Sequence, residues 1–156
     1  VEKLLTGEYR NTIDEKGRIL IPSRLRTHLG EQTTLIITRA VESCLWLLLP
    51  EAFENIRRKI MDGPGAMFDA NLRLLQRRMI APAMECEIDK AGRLNIPPQL
   101  RESAGLKVKE ESMLLAMGTY MELWNLSAYE KFLMDSEPTF SAASQSLSVL
   151  LQETGR

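Results

Sequence analysis

The sequence predicts an α+β fold made of two tandem copies of one β-hairpin/short-helix unit, with an αα-hairpin between them. Two observations carry this. Residues 13–30 and 88–105 align at one fixed offset, and nine of the eighteen positions are identical: Ile13/Ile88, Asp14/Asp89, Gly17/Gly92, Arg18/Arg93, Ile21/Ile96, Pro22/Pro97, Leu25/Leu100, Arg26/Arg101 and Gly30/Gly105. An internal repeat makes each half a supersecondary unit that needs a partner to bury its apolar face. Between the copies, apolar residues recur at helical spacing on both sides of the break Gly63-Pro64-Gly65.

The elements follow in order. Residues 7–13 read as a strand and Asp14-Glu-Lys-Gly17 as a turn, because Asp bonds nearby backbone and Gly accepts positive φ. Residues 18–21 return as a strand. Pro22 ends it, and Ser23 is placed to cap a short helix carrying Leu25 and Leu29 on one face, which Gly30 stops. Residues 34–38 and 45–49 are apolar runs that read as strands. Pro50 stands where helices start, with Phe53, Ile56 and Ile60 as the buried stripe. After the break, Phe68, Leu72, Leu75 and Met79 form the stripe of a second helix, which Pro82 ends. The second half replays the first: strands over 83–88 and 93–96, a helix over 98–104, strands near 113–117 and 121–124. Beyond the motif, Leu47, Ala52, Phe53 and Glu54 match Leu123, Ala128, Tyr129 and Glu130 with one residue inserted. The expected divisions are a first repeat over 7–53, a helical connector over 54–82, a second repeat over 83–129, and a C-terminal helix and tail over 130–156. The Ser-rich tail, with Leu147, Val149, Leu150 and Leu151, reads as a loosely docked helix or as disorder.

Composition narrows the function classes. No apolar run approaches the roughly 20 residues of a membrane span, and no signal peptide opens the chain. Cys44 and Cys86 lack CxxC spacing and His28 is the one histidine, so no His/Cys metal set is available. The thiols read as small apolar fillers in a reducing, cytoplasmic setting. Net charge is −1, but residues 1–101 carry an excess of three cations and residues 102–156 an excess of four anions. Any nucleic-acid face would come from the placement of cations rather than their total. There is no Gly-rich phosphate loop and no acid/base pair repeated in a catalytic arrangement, so an enzyme and a cofactor are not expected.

The Asp-x-x-Gly-Arg turn is the main candidate site. Lys16 and Arg18 in the first copy, and Lys90 and Arg93 in the second, would offer cations at a hairpin tip. Arg bonds phosphate or guanine bidentately, and a two-stranded ribbon fits a major groove. The alternative is an Asp–Arg pair that only fixes the turn. Retention of charged positions together with apolar ones favours binding. Arg10 and Arg24 cluster near the first turn and join the candidate set. Arg26 and Arg101 lie beside Leu25 and Leu100, which favours a structural ion pair. Arg73, Arg77 and Arg78 read as a solvated helix face. Ser23 has no paired base and His28 becomes Ser103 in the repeat, so neither reads as catalytic. The methionines, Met67, Met79, Met84, Met113, Met117 and Met121, read as core or interface filler.

Asp14-Glu-Lys-Gly-Arg18 and Asp89-Lys-Ala-Gly-Arg93, each followed by an apolar strand and Pro, resemble the Asp-x-x-x-Arg signature of MraZ proteins. One copy would fit any AbrB-like regulator or antitoxin; two copies around an αα-hairpin resemble MraZ over residues 7–135. The resemblance implies two AbrB-like repeats closing on a pseudo-two-fold, β-barrel-like core. It further implies a bacterial, nucleoid-associated transcriptional regulator of the division and cell-wall operon. Such a protein would bind short direct repeats in double-stranded DNA as a ring-shaped homo-oligomer, without cofactor, metal or membrane. Lys16 keeps the basic residue the family has before the first Gly; Ala91 departs from it in the second copy. Two other classes stay open: an antitoxin-like module whose acidic C-terminal part docks a toxin, and a structural oligomer that binds DNA incidentally.

Overall fold

Two strands that look like the second arms of local hairpins are paired with each other instead. β2 (Arg18–Leu20) runs antiparallel to β6 (Arg93–Asn95), with Arg18 opposite Asn95, Ile19 opposite Leu94 and Leu20 opposite Arg93. Each turn still closes on its own copy, with Asp14 N–H donating to the Arg18 carbonyl at 2.9 Å and Asp89 N–H to the Arg93 carbonyl at 2.9 Å, and in the second copy an antiparallel bridge also joins Ile88 to Leu94. The return strand then leaves its own copy. This corrects the expected local hairpin. A period-2 strand buries the same residues against either partner, so pattern alone does not choose between them.

The computed structural model describes residues 5–154. It contains β1 (Leu5–Thr12), β3 (Thr34–Arg39), β4 (Leu45–Leu48), β5 (Met84–Glu87), β7 (Glu111–Gly118) and β8 (Met121–Asn125), which form one antiparallel sheet in the order β1-β7-β8-β4-β3-β5. The exchange between copies is reciprocal here too. β1 of the first copy pairs with β7 of the second, and β5 of the second pairs with β3 of the first. β4 and β8 join at the centre. Swapping the copies therefore maps this strand order onto itself. In this ladder β1 and β5 stand at the two ends, and an antiparallel bridge links Ile88, just beyond β5, to Leu94 of β6. On β1 the exposed Thr6, Glu8, Arg10 and Thr12 alternate with more buried residues, as in a strand with one face covered.

The repeated apolar positions are the core. Ile13, Ile21, Leu25, Ile96 and Leu100 are at most 2% exposed, and they pack in one cluster with Ile19, Leu94, Leu35, Ile37, Leu45, Leu47, Leu114 and Leu123. The two short helices, α1 (Ser23–Leu29) and α4 (Pro98–Ser103), each insert one leucine into it. Ser23 does not cap α1. Pro22 occupies the cap position without a side-chain cap bond, and the Leu25 and Arg26 N–H groups donate to the Pro22 carbonyl. Cys44 and Cys86 are buried free thiols, as expected of fillers. Burial pushes the Cys86 thiol up to about 11.

The connector starts with α2 (Pro50–Met61), whose N-terminal Pro sits where its missing N–H is not needed. The second helix differs from the expected stripe. α3 (Ala70–Leu75) begins at the Asp69 cap, whose carboxylate accepts the Leu72 N–H, so Phe68 lies outside the helix and is 87% exposed. α3 then widens into a π-helical turn over Gln76–Ile80. That turn shifts the side-chain register, so Met79 is buried while Leu75 is exposed. The buried Thr38 hydroxyl donates to the Met79 carbonyl, and the Gln76 amide bridges to the carbonyls of Ile60 and Ala66. Those contacts tie the connector to β3 and its helices to each other.

The chain divides into two units. Residues to Leu126 form the first, which holds both repeats and the connector. Residues from Ser127 onward form the second. It contains most of α5 (Leu126–Asp135) and all of α6 (Glu137–Thr154). The tail is thus helical through Thr154, with Phe140, Leu147, Val149, Leu150 and Leu151 exposed. Among the described residues no helix is long and apolar enough to cross a membrane.

Candidate nucleic-acid interface

The β2–β6 ribbon turns one face inward and one outward. Ile19 and Leu94 face the core. By alternation, Arg18, Leu20, Arg93 and Asn95 share the opposite face. Arg18 and Arg93 are diagonal neighbours across the ladder, roughly 7–8 Å apart at the backbone. Residues 75 positions apart in the chain, one from each repeat, are thus brought onto one surface.

Each ribbon strand grows from a turn organised by its aspartate. The Asp14 carboxylate accepts the N–H groups of Lys16 and Arg18, both at 2.9 Å, and the Arg18 Nε at 2.8 Å. Asp89 likewise accepts from Ala91 N–H at 2.9 Å and Arg93 N–H at 2.8 Å. Gly17 and Gly92 close the turns at φ of +79° and +84°, a region that favours glycine. The backbone N–H of Arg18 is the main reason the Asp14 carboxyl lies below the usual range, with its guanidinium and the Lys16 N–H adding to it. Asp89 is held low chiefly by the Arg93 N–H, then by Ala91 N–H and the charges of Arg18 and Arg93. The influence of Arg18 on Asp89 reports that the two turns share one electrostatic environment.

These shifts set a pH dependence. A carboxyl depressed in the fold stabilises it above its ordinary value of 3.8, and that contribution is lost as pH falls through the lower folded value. Urea midpoints followed downward in pH are expected to fall in that acid window. Asp14→Asn/Asp89→Asn should flatten this part of the profile; an unchanged slope would show that the turns do not titrate with folding.

The two turns differ in what they free. Arg18 is half-buried and paired with Asp14, with side chains 28% and 33% exposed. Arg93 is exposed, and among the described residues its side chain has no hydrogen bond or ion pair. Lys16 and Lys90 are exposed at the turn tips. They do not occupy equivalent positions: Lys16 corresponds to Ala91, and Lys90 to Glu15, which itself meets Lys109 at 3.5 Å.

Arg24 and Arg10 part company. Arg24, on α1, approaches the Tyr9 hydroxyl at 3.5 Å, and the Asn11 amide donates to the Leu20 carbonyl, so Tyr9 and Asn11 mark the β1 face turned toward β2 and α1. Arg10 alternates to the other face and is not brought to the ribbon. The structure adds Leu20, which is 48% exposed, and Asn95 to the ribbon face. Both have groove chemistry, Asn pairing with adenine and an apolar chain meeting a thymine methyl. Their signal in the sequence was phase: each is one residue away from a buried partner.

Arg73 donates to the Met67 carbonyl at 3.0 Å, while Arg77 and Arg78 are exposed on the π-helical turn. Arg26 and Arg101 make no ion pair among the described residues, contrary to expectation; their Nε atoms donate to the carbonyls of Ile21 and Ile96. Of the methionines, Met79, Met113 and Met121 are buried, whereas Met67, Met84 and Met117 are exposed.

A family model described as "MraZ protein, putative antitoxin-like" matches residues 4–75 and again residues 79–149, once for each half of the chain. A protein of Treponema denticola called transcriptional regulator MraZ is 46% identical over 143 residues, covering 92% of this chain and 96% of that protein. The protein of that name from Treponema pallidum is 38% identical over 146 residues, covering 94% and 95%. One from a Thermoanaerobacter species is 35% identical over 144 residues, covering 92% and 96%.

Proposed function

The chain belongs to the MraZ family, and from that premise we propose that it is a DNA-binding transcriptional regulator whose β2–β6 ribbon enters the major groove of its operator. The observation that carries the reading is the convergence of Arg18 and Arg93, from separate repeats, on the outer face of one two-stranded ribbon. Arg18, preset by Asp14, and Arg93, exposed and without a side-chain hydrogen bond among the described residues, contact guanine edges or phosphates. Lys16 and Lys90 neutralise flanking phosphates, and Arg24, exposed on α1, adds a further phosphate contact. Arg10 is left to contact a DNA flank. The operator is the set of short direct repeats that the family resemblance implies upstream of the division and cell-wall operon.

One ribbon with a few cations neutralises few phosphates and binds weakly. A closed homo-oligomer presents several ribbons in series and gains affinity through avidity. The connector supports self-association: Met67, Phe68, Leu74 and Leu75 are exposed large apolar side chains on one short segment. Light scattering at micromolar concentration is expected to give a species larger than a dimer; a 17.7 kDa monomer throughout would remove the ring and its avidity.

The reading is tested by anisotropy titration with duplex DNA from upstream of the gene, across a salt series. Preference for that DNA over scrambled sequence, with affinity falling as salt rises, is the expected result. Equal affinity for both sequences would leave only sequence-independent binding.

A further inference from the structure

Arg26 and Arg101 are identical repeat positions that the proposed contacts with DNA leave unused. Each is half-buried, and neither has an acidic partner among the described residues. A charge taken partly out of water without an acid needs another source of stabilisation. Here that source is backbone from both copies. Arg26 Nε donates to the Ile21 carbonyl at 3.0 Å, while the Ile21 N–H donates to the carbonyl of Gly92, in the other copy's turn, at 2.8 Å. The mirror set repeats it: Arg101 Nε to the Ile96 carbonyl at 3.0 Å, and Ile96 N–H to the Gly17 carbonyl at 3.0 Å.

The guanidinium itself rests on that foreign glycine. A methyl placed on Gly92 would stand 2.6 Å from Arg26 Cζ, and one on Gly17 would stand 2.9 Å from Arg101 Cζ. Positive φ favours glycine at both positions, and a side chain at either would also displace the arginine lying over it. Gly92 is bonded directly to Arg93, and Gly17 to Arg18. A planar group held by its own Nε bond thus fixes the peptide from which the other copy's arginine projects.

We infer that Arg26 and Arg101 are positioning residues for the DNA-reading turns, acting across the repeat: Arg26 sets Arg93, and Arg101 sets Arg18. This rests on the ribbon being the DNA-binding surface. Its consequence is that neither turn is an independent reading head.

A double-mutant cycle on operator affinity tests it. Arg26→Gln is expected to weaken binding on the order of tenfold, within the range for coupled neighbours. That loss should nearly vanish on an Arg93→Ala background and persist in full on an Arg18→Ala background. Arg101→Gln should show the reverse preference. The salt slope of Arg26→Gln should match wild type, because no phosphate contact is removed. Arg26→Lys keeps the charge without the planar fork and should behave like Arg26→Gln; it also serves if the Gln variant does not fold. Equal losses on both backgrounds, coupling to Arg18 instead, full affinity with Lys, or a slope reduced by about one would each overturn the inference. If Arg18→Ala and Arg93→Ala leave operator binding unchanged, the ribbon reading falls and this inference with it. If they weaken binding but Arg26 shows no cross-copy coupling, the inference alone falls.

Discussion

Arg18→Ala and Arg93→Ala are each expected to weaken operator binding by about 1–3 kcal/mol, the discrimination carried by one good bidentate base contact. The two should differ in their side effects. The Arg93 side chain makes no hydrogen bond or ion pair among the described residues, so its loss should change the unfolding midpoint less than loss of Arg18. Arg18 also holds the Asp14 carboxylate at 2.8 Å, so its loss should loosen the first turn and lower the midpoint measurably. Titration calorimetry for binding and thermal unfolding for stability separate these effects. Normal binding by both variants would make the two arginines structural residues of the turn.

Operator architecture is expected to have a larger effect than any single residue. If several ribbons of one oligomer engage one DNA, later contacts form at high effective concentration, and avidity can add about 100- to 10,000-fold. Duplexes with two or three repeats in helical phase should therefore bind far more tightly than one repeat, well beyond a doubling. Inserting about five base pairs, half a helical turn, rotates one repeat away and should abolish most of the gain. Equal affinity for all these duplexes would mean that the protein binds as one independent unit.

The apolar repeat was legible because burial is what preserves such positions: Ile13, Ile21 and Leu25 reappear as Ile88, Ile96 and Leu100, and all are buried. The turns were legible from Asp and Gly chemistry, which the Asp14 and Asp89 bonds to backbone N–H groups realise. Pairing across the copies was not. Ile19 alternates identically whether β2 faces β1 or β6, and the choice is made by contacts far apart in sequence. The position of Arg26 and Arg101 beside Leu25 and Leu100 points to structural ion pairs, and the structure shows none among the described residues. Their acceptors are main-chain carbonyls, which carry no signature in sequence. The connector stripe failed at Phe68 for a local reason: Asp69 caps the helix one residue later, and the π-helical turn then changes the phase at Met79. Leu20 and Asn95 join the candidate surface only through the β2–β6 register, so they became visible with it.

Lysine footprinting of the protein–operator complex tests the ribbon reading most directly. Lys16 and Lys90 lie 74 positions apart in the chain and stand at the tips of the two turns that feed one ribbon, while Lys59 is exposed elsewhere, on α2. Acetylation of the complex, read by mass spectrometry against the free protein, is predicted to show Lys16 and Lys90 protected together and Lys59 unchanged. Lys16 and Lys90 fully reactive in a saturated complex, with protection found only at other lysines, would contradict it.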